Sequence, residues 1–211
     1  MRRFDLVIFD CDGVLIDSER LAIRVEAAIL AALGWPLSES EIIARFVGRS
    51  ASYMHGEIER QLGRSVDWNA EFEDHYRDSF EKELRPVDGI NEALDAITVP
   101  CCVASSASHE KMRFTLGLTG LWEHFEGRVF SVDEVERGKP APDLFLYTAQ
   151  RMGADPHRCA VIEDSVAGVT AGVAAGMHVF AFAGSVTSAS HLSQDGVVTF
   201  SDMRSLPALL D

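Results

Sequence analysis

The chain has 211 residues, of which 47% are hydrophobic and 25% charged, so it is long enough to bury a core without disulfide or metal staples. A formal net charge of −14 argues against a nucleic-acid partner and against binding to an anionic membrane, since both require a positively charged protein surface. The four cysteines form no C-x-x-C pair, and we recognise neither a signal peptide nor an apolar run of transmembrane length, so we expect a cytoplasmic protein with reduced thiols.

Apolar segments alternate with amphipathic segments along most of the chain. Residues 4–9 are predicted to form a buried strand, and further strands are predicted at 99–104, 128–132, 159–162, 178–182 and 196–200. Between them, apolar residues recur at three- and four-residue spacing, which predicts helices at 91–97, 109–118, 143–152 and 166–175. This alternation indicates right-handed βαβ units and therefore an α/β fold with a parallel sheet that is covered on both faces.

The segment from residue 17 to residue 85 interrupts this alternation. It contains no clear strand, and helices are predicted at 18–33, 39–46, 52–62 and 69–83. Ser38 followed by Glu41 fits a capping box at the start of the second of these helices. We therefore predict an α/β core formed by residues 1–16 and 86–211, with a helical cap inserted at 17–85.

Carboxylates follow two of the predicted strands. Asp10 and Asp12 come directly after the first strand, before Gly13, and Glu163 and Asp164 follow a later one. Because ligands bind at the carboxyl edge of open α/β sheets, we expect the two acid pairs to converge there as an oxygen-ligand site for Mg²⁺. Either acid of the first pair could also act as a nucleophile or proton donor. Each segment taken separately is also compatible with a strand-end turn or a helix N-cap.

Two further segments carry groups that suit an anion. Lys139 lies between Gly138 and Pro140 ahead of a predicted helix, where it is either a solvated charge or an ammonium held in place to neutralise a phosphoryl group. Ser105 and Ser106 end a strand just before a helix. They are compatible with N-capping and with an anion pocket made of hydroxyl and backbone N–H groups.

Taken in order, these four segments resemble the four motifs of the haloacid dehalogenase superfamily. The stretches that read FDCDGVLIDSE, GKPAPDLF and VIEDSVAG resemble its β-phosphoglucomutase-like phosphatase branch, and the resemblance covers essentially the whole chain. It implies a Rossmann-like core with a helical cap, and a Mg²⁺-dependent phosphatase that works through an aspartyl phosphate. The expected substrate is a small phosphorylated metabolite, first a sugar or sugar-acid phosphate, with phosphoglycolate or a nucleoside monophosphate as alternatives, and we expect a monomer.

The resemblance also implies a role for each acid. Asp10 would be the nucleophile, and Asp12 would protonate the leaving oxygen and then activate water. Mg²⁺ would be held by Asp10, the backbone carbonyl of Asp12 and Asp164, with Glu163 supporting the metal.

The same resemblance implies roles for the remaining site residues. Ser105 and Lys139 would bind the transferring phosphoryl group, and we expect Ser106 to be a further substrate-binding residue. Arg49 lies in a stretch that resembles the cap loop facing the active site. It could contact the distal part of the substrate, although an exposed arginine without that role fits as well.

Three alternatives compete with a phosphatase. Mutases that resemble this sequence carry a cap histidine twelve residues after the nucleophile, where this chain has Ala22, and this difference favours water as the acceptor. Phosphonatases need a cap lysine, and the predicted cap offers only Lys82 near its end. A non-catalytic binding protein on this fold would be expected to have lost an acid or the lysine, and all of them are present.

Overall fold

The computed structural model describes residues 3–47, 51–68, 72 and 74–211. The chain divides into two compact units, one formed by Met1–Asp17 with Arg85–Asp211 and the other by Ser18–Leu84. In the described residues, no helix is both long and apolar enough to cross a membrane.

The first unit contains a parallel sheet in the order β3-β2-β1-β4-β5-β6. Its strands are β1 (Leu6–Phe9), β2 (Cys101–Ser105), β3 (Val129–Ser131), β4 (Cys159–Glu163), β5 (His178–Phe182) and β6 (Val198–Phe200). Strands β1, β2 and β3 follow one another toward one edge of the sheet, and β4 then pairs with β1 on its other side. Such a reversal opens a crevice at the carboxyl ends of the two central strands, where ligands bind in α/β proteins.

The second unit is helical in its described part. Its helices are α1 (Ser18–Ala32), α2 (Glu39–Phe46), α3 (Ala51–Leu62) and α4 (Asp74–Glu83). The predicted capping box is present at α2, because the Ser38 hydroxyl accepts the Glu41 N–H and the Glu41 carboxylate accepts the Ser38 N–H at 2.9 Å. Fully buried Ile42 and Ile58 belong to the apolar interior.

The helices of the first unit follow its strands. They are α5 (Ile90–Ala96), α6 (His109–Leu118), α7 (Trp122–Phe125), α8 (Asp143–Met152), α9 (Val166–Ala174), α10 (Ala189–Leu192) and α11 (Leu206–Leu210). Every residue of β1 and β4 is buried, so both faces of the centre of the sheet are covered, as expected for near-continuous apolar strands. The predicted α/β class with a parallel sheet is therefore confirmed.

Candidate active site

A tight turn follows β1 and carries the first acid pair. The Cys11 carbonyl accepts the Ile16 N–H at 3.2 Å, and the Gly13 N–H donates to the Ile16 carbonyl at 2.9 Å. Gly13 has a φ of +79°, and a Cβ atom at this position would lie 2.0 Å from Oδ2 of Asp164. Only glycine therefore allows the turn after Asp10 to approach the end of β4 this closely.

Glu163, the last residue of β4, is held by protein donors on both of its carboxylate oxygens. Its Oε2 atom accepts the Asp164 N–H at 3.0 Å, the Ser165 N–H at 2.9 Å and the Ser165 hydroxyl at 2.9 Å. Its Oε1 atom accepts Lys139 Nζ at 2.7 Å. A Cβ atom at Gly168 in α9 would lie 1.7 Å from Oε1, so this glycine leaves the space that the carboxylate fills.

Lys139 is a buried cation at the centre of this group, with a side chain only 4% exposed. Its Nζ donates to Asp10 Oδ1 at 2.5 Å, Glu163 Oε1 at 2.7 Å and the Ala104 carbonyl at 3.0 Å. Burial lowers the pKa of Lys139, but the Asp10 and Glu163 carboxylates outweigh burial, so the net pKa lies above its ordinary value. The ammonium is therefore charged and directed by three acceptors, as an anion-binding lysine requires.

Asp10 experiences opposing influences from its surroundings. Burial raises the pKa of Asp10 to about 7, against the lowering influence of the Lys139 ammonium and with a further raising contribution from Glu163. Without a further positive charge, the Asp10 carboxyl is therefore partly protonated at neutral pH. A cation or a second basic group beside it would restore the carboxylate that a nucleophile needs.

Carboxylate oxygens from Asp10, Glu163 and Asp164 lie within 4.8 Å of one another, and all three residues are buried. The donors are oxygen atoms, which hard divalent cations prefer. Lys139 forms ion pairs with Asp10 and Glu163, and one ammonium cannot balance three ionised carboxyl groups, so a divalent cation would balance the remaining charge. The residues therefore fit a divalent metal ion. Because both oxygens of Glu163 already accept protein donors, Asp10 and Asp164 are the better direct ligands.

The carboxylate of Asp12 takes part in a different interaction. Its Oδ2 atom accepts Lys111 Nζ at 2.9 Å, and the Lys111 side chain is 46% exposed. Lys111 lies in the first turn of α6, where its N–H donates to the Ser108 cap at 3.2 Å. The sequence prediction missed Lys111. The available signal was its place one turn after a serine N-cap, on a helix that begins at the carboxyl edge of the sheet.

The serines after β2 differ in their surroundings. Ser105 is 2% exposed, and its hydroxyl accepts the Ala107 N–H at 3.1 Å, so it stabilises the turn before α6. The neighbouring Ala104 carbonyl contacts Lys139, which places the end of β2 beside the acid cluster. Ser106 is exposed in the same turn. Arg49 lies outside the described residues.

A buried lysine held by carboxylates thus lies at the switch point of a parallel sheet, where α/β proteins bind their ligands. Residues 4–176 match the family of haloacid dehalogenase-like hydrolases, and the chain belongs to that family. The resemblance drawn from the four sequence motifs is thereby confirmed.

Known relatives place the chain among the phosphatases of this family. It is 33% identical to the 6-phosphogluconate phosphatase of Escherichia coli (strain K12), covering 92% of this chain and 94% of that one. It is 31% identical to hexitol phosphatase A of the same organism, over 82% of this chain and 81% of the relative. A solved haloacid dehalogenase-like protein of unknown function from Agrobacterium tumefaciens superposes with a TM-score of 0.88 at 35% identity, covering 98% and 97% of the two chains. The chain is a phosphatase.

Proposed function

We propose that the chain is a Mg²⁺-dependent phosphatase that hydrolyses a small sugar phosphate or sugar-acid phosphate through an aspartyl phosphate on Asp10. The observation that carries this proposal is the buried contact between Lys139 Nζ and Asp10 Oδ1 at 2.5 Å, beside a cluster of carboxylates that fits a divalent cation. Phosphoryl transfer depends mainly on positioning and charge neutralisation, and this arrangement supplies both.

The proposed reaction has two displacements at phosphorus. A carboxylate oxygen of Asp10 attacks phosphorus, the bond to the ester oxygen breaks, and Asp12 donates a proton to the departing alcohol. Asp12, now a carboxylate, takes a proton from water as the water oxygen attacks the same phosphorus. The acyl phosphate bond breaks, and Asp10 and inorganic phosphate are released. This succession of acid and base uses one residue for both proton transfers.

The other residues bind and orient in this proposal. Lys139 would neutralise charge on the transferring phosphoryl group, and Glu163 would hold that ammonium in place. Asp10, Asp164 and the backbone carbonyl of Asp12 would hold Mg²⁺, which when bound would supply positive charge to the phosphoryl oxygens. Ser105 and Ser106 remain proposed phosphoryl contacts.

Two relatives support a sugar-derived substrate, since one is named for 6-phosphogluconate and the other for hexitol phosphates. An anionic substrate also requires local positive charge in a chain whose net charge is −14, and Lys139 supplies it at the sheet edge. We propose that the helical unit 18–84 is the cap that selects the substrate, with Arg49 as a candidate contact, and that the enzyme is a cytoplasmic monomer.

The test is phosphate release from a panel of substrates, measured with Mg²⁺ and with excess EDTA. The panel contains 6-phosphogluconate, glucose 6-phosphate, sorbitol 6-phosphate, phosphoglycolate and nucleoside monophosphates. We expect release from sugar-derived members, loss of release in EDTA, recovery with Mg²⁺, and no turnover by Asp10→Asn. Full activity in EDTA would exclude the metal, and half-maximal activity of Asp10→Asn would exclude this nucleophile.

A second outcome would support a different reaction. If no panel member releases phosphate while hexose phosphates are isomerised, the chain is a mutase, because a mutase returns the phosphoryl group to its substrate. Ala22, at the position where the resembling mutases carry a histidine, favours hydrolysis.

A further inference from the structure

The two amines at the sheet edge contact different carboxylates. Lys139, with 4% of its side chain exposed, contacts Asp10 and Glu163, whereas Lys111, with 46% exposed, contacts Asp12 at 2.9 Å. The proposed nucleophile and the proposed acid–base residue therefore each have an amine of their own. Lys139 contacts Asp10 and Glu163 but not Asp12, so the role of Lys111 beside Asp12 has to be explained separately.

The backbone of Lys111 is anchored in the first turn of α6. Its backbone N–H donates to the Ser108 N-cap at 3.2 Å, and its carbonyl accepts the Thr115 hydroxyl at 3.0 Å. Met112, the next residue, is fully buried, so the first turn of α6 is anchored to the core. The lysine thus reaches Asp12 from α6, an element separate from the turn on which Asp12 lies.

Stability does not explain this contact well. Both partners are partly exposed, at 46% for Lys111 and 25% for Asp12, and ion pairs of this kind contribute little to folding. Orientation is a better explanation, because proton transfer requires the Asp12 carboxyl to lie within hydrogen-bond reach of the reacting oxygen. An ammonium on Oδ2 restricts the rotamers of Asp12.

We propose that Lys111 is a positioning residue that holds the Asp12 carboxyl in the orientation used for proton transfer. The inference rests on the proposed function, in which Asp12 is the general acid and base. Lys111 acts through Asp12, so its removal should impair the steps that need a proton from Asp12 and spare a step that does not. Departure of 4-nitrophenolate is such a step, because this leaving group needs no protonation.

The experiment compares kcat/KM for 4-nitrophenyl phosphate with kcat/KM for the alkyl phosphate that the panel shows to be turned over fastest. In Lys111→Met we expect a fall of about 10–100-fold for the alkyl ester, less than the roughly 10²–10⁴-fold of a complete acid–base role, and a change of less than about twofold for the aryl ester. Lys111→Arg should recover most of the loss, because it keeps the charge. Arg113→Met, two residues further along α6 with its guanidinium over the Trp122 ring, is the matched control and should change neither value.

A double variant tests whether the two residues act together. Asp12→Asn combined with Lys111→Met should be no slower on the alkyl ester than Asp12→Asn, since the lysine has nothing left to position. Multiplied losses would overturn the inference, as would equal losses on alkyl and aryl esters or a rise in KM at unchanged kcat. If Asp12→Asn itself shows no preference between the esters, the acid–base role of Asp12 fails. If Asp12→Asn shows a preference between the esters and Lys111→Met does not, the proposed function stands and this inference fails.

Discussion

Replacement of Lys139 by methionine would remove a buried cation while keeping much of its volume. The side chains of Lys139, Asp10 and Glu163 are 4%, 11% and 1% exposed, so the variant would bury two carboxylates without their shared ammonium. Breaking a buried ion pair by removing one partner typically costs about 3–5 kcal/mol. We therefore expect the free energy of unfolding of the metal-free variant to fall by about 3–5 kcal/mol at pH 8.

The loss should depend on pH in a defined direction. Burial raises the pKa of Asp10 from 3.8 to about 7, and Lys139 opposes that rise, so the pKa of Asp10 should be higher still in the variant. A carboxyl whose pKa is higher in the folded state destabilises the protein increasingly as pH rises between the unfolded and folded pKa values. At pH 5 Asp10 is protonated in both folded proteins, so Glu163 is the one charged partner that the substitution leaves without the ammonium. The decrease in the free energy of unfolding caused by Lys139→Met, called the deficit below, should therefore be smaller at pH 5 than at pH 8.

Urea-induced unfolding in EDTA, followed by circular dichroism at pH 5 and pH 8, measures both quantities. Lys82→Met is the matched control, because Lys82 is exposed in α4 and a surface substitution should change stability by less than about 0.5 kcal/mol. A deficit for Lys139→Met below about 1 kcal/mol at pH 8 would refute the reasoning from the buried ion pair. So would a deficit that is larger at pH 5 than at pH 8.

Three further predictions concern the metal site and its glycines. Gly13→Ala places a methyl group 2.0 Å from a carboxylate oxygen of Asp164, so it should weaken Mg²⁺ binding at least about tenfold, as measured by calorimetry. Gly34→Ala is the control, because Gly34 also has a positive φ but has open space around it, and it should leave Mg²⁺ binding unchanged. Mg²⁺ affinity should fall by about tenfold per pH unit below pH 7, because Asp10 must lose its proton to bind a cation. A constant affinity from pH 8 to pH 6 would show that Asp10 is not a metal ligand. Gly168→Ala should lower the free energy of unfolding by about 1–3 kcal/mol through overlap with a buried carboxylate, whereas Gly56→Ala, in open space within α3, should be neutral or stabilising.

The sheet was predictable from sequence because its central strands are buried on both faces. The resulting apolar runs are short and continuous, and they were recognised at β1 and β4. The helices α2, α6 and α8 have the predicted bounds. The short helices α7, α10 and α11 were not predicted, because four or five residues are too few to show a helical period.

The candidate site was predictable where residues directly follow a strand. Asp10, Glu163 and Asp164 converge because parallel strands end at one edge, whatever the details of packing. The contacts of Glu163 were not predictable in this way. Whether its oxygens face a metal or a lysine depends on how the distant loop that carries Lys139 folds back. Lys111 was missed for a related reason, since an exposed lysine on a helix is ordinarily solvated.

The order of the strands also bears on how the chain is made. β1 is paired by β2 on one side and by β4 on the other, yet β4 begins only at Cys159. While the ribosome is still adding the residues before β4, one edge of the apolar strand β1 has no partner, and such an edge invites association with other chains. Products of incomplete translation that end before Cys159 should therefore aggregate or be degraded. Arrival of β4 closes that edge and, in the same step, delivers Glu163 to Lys139.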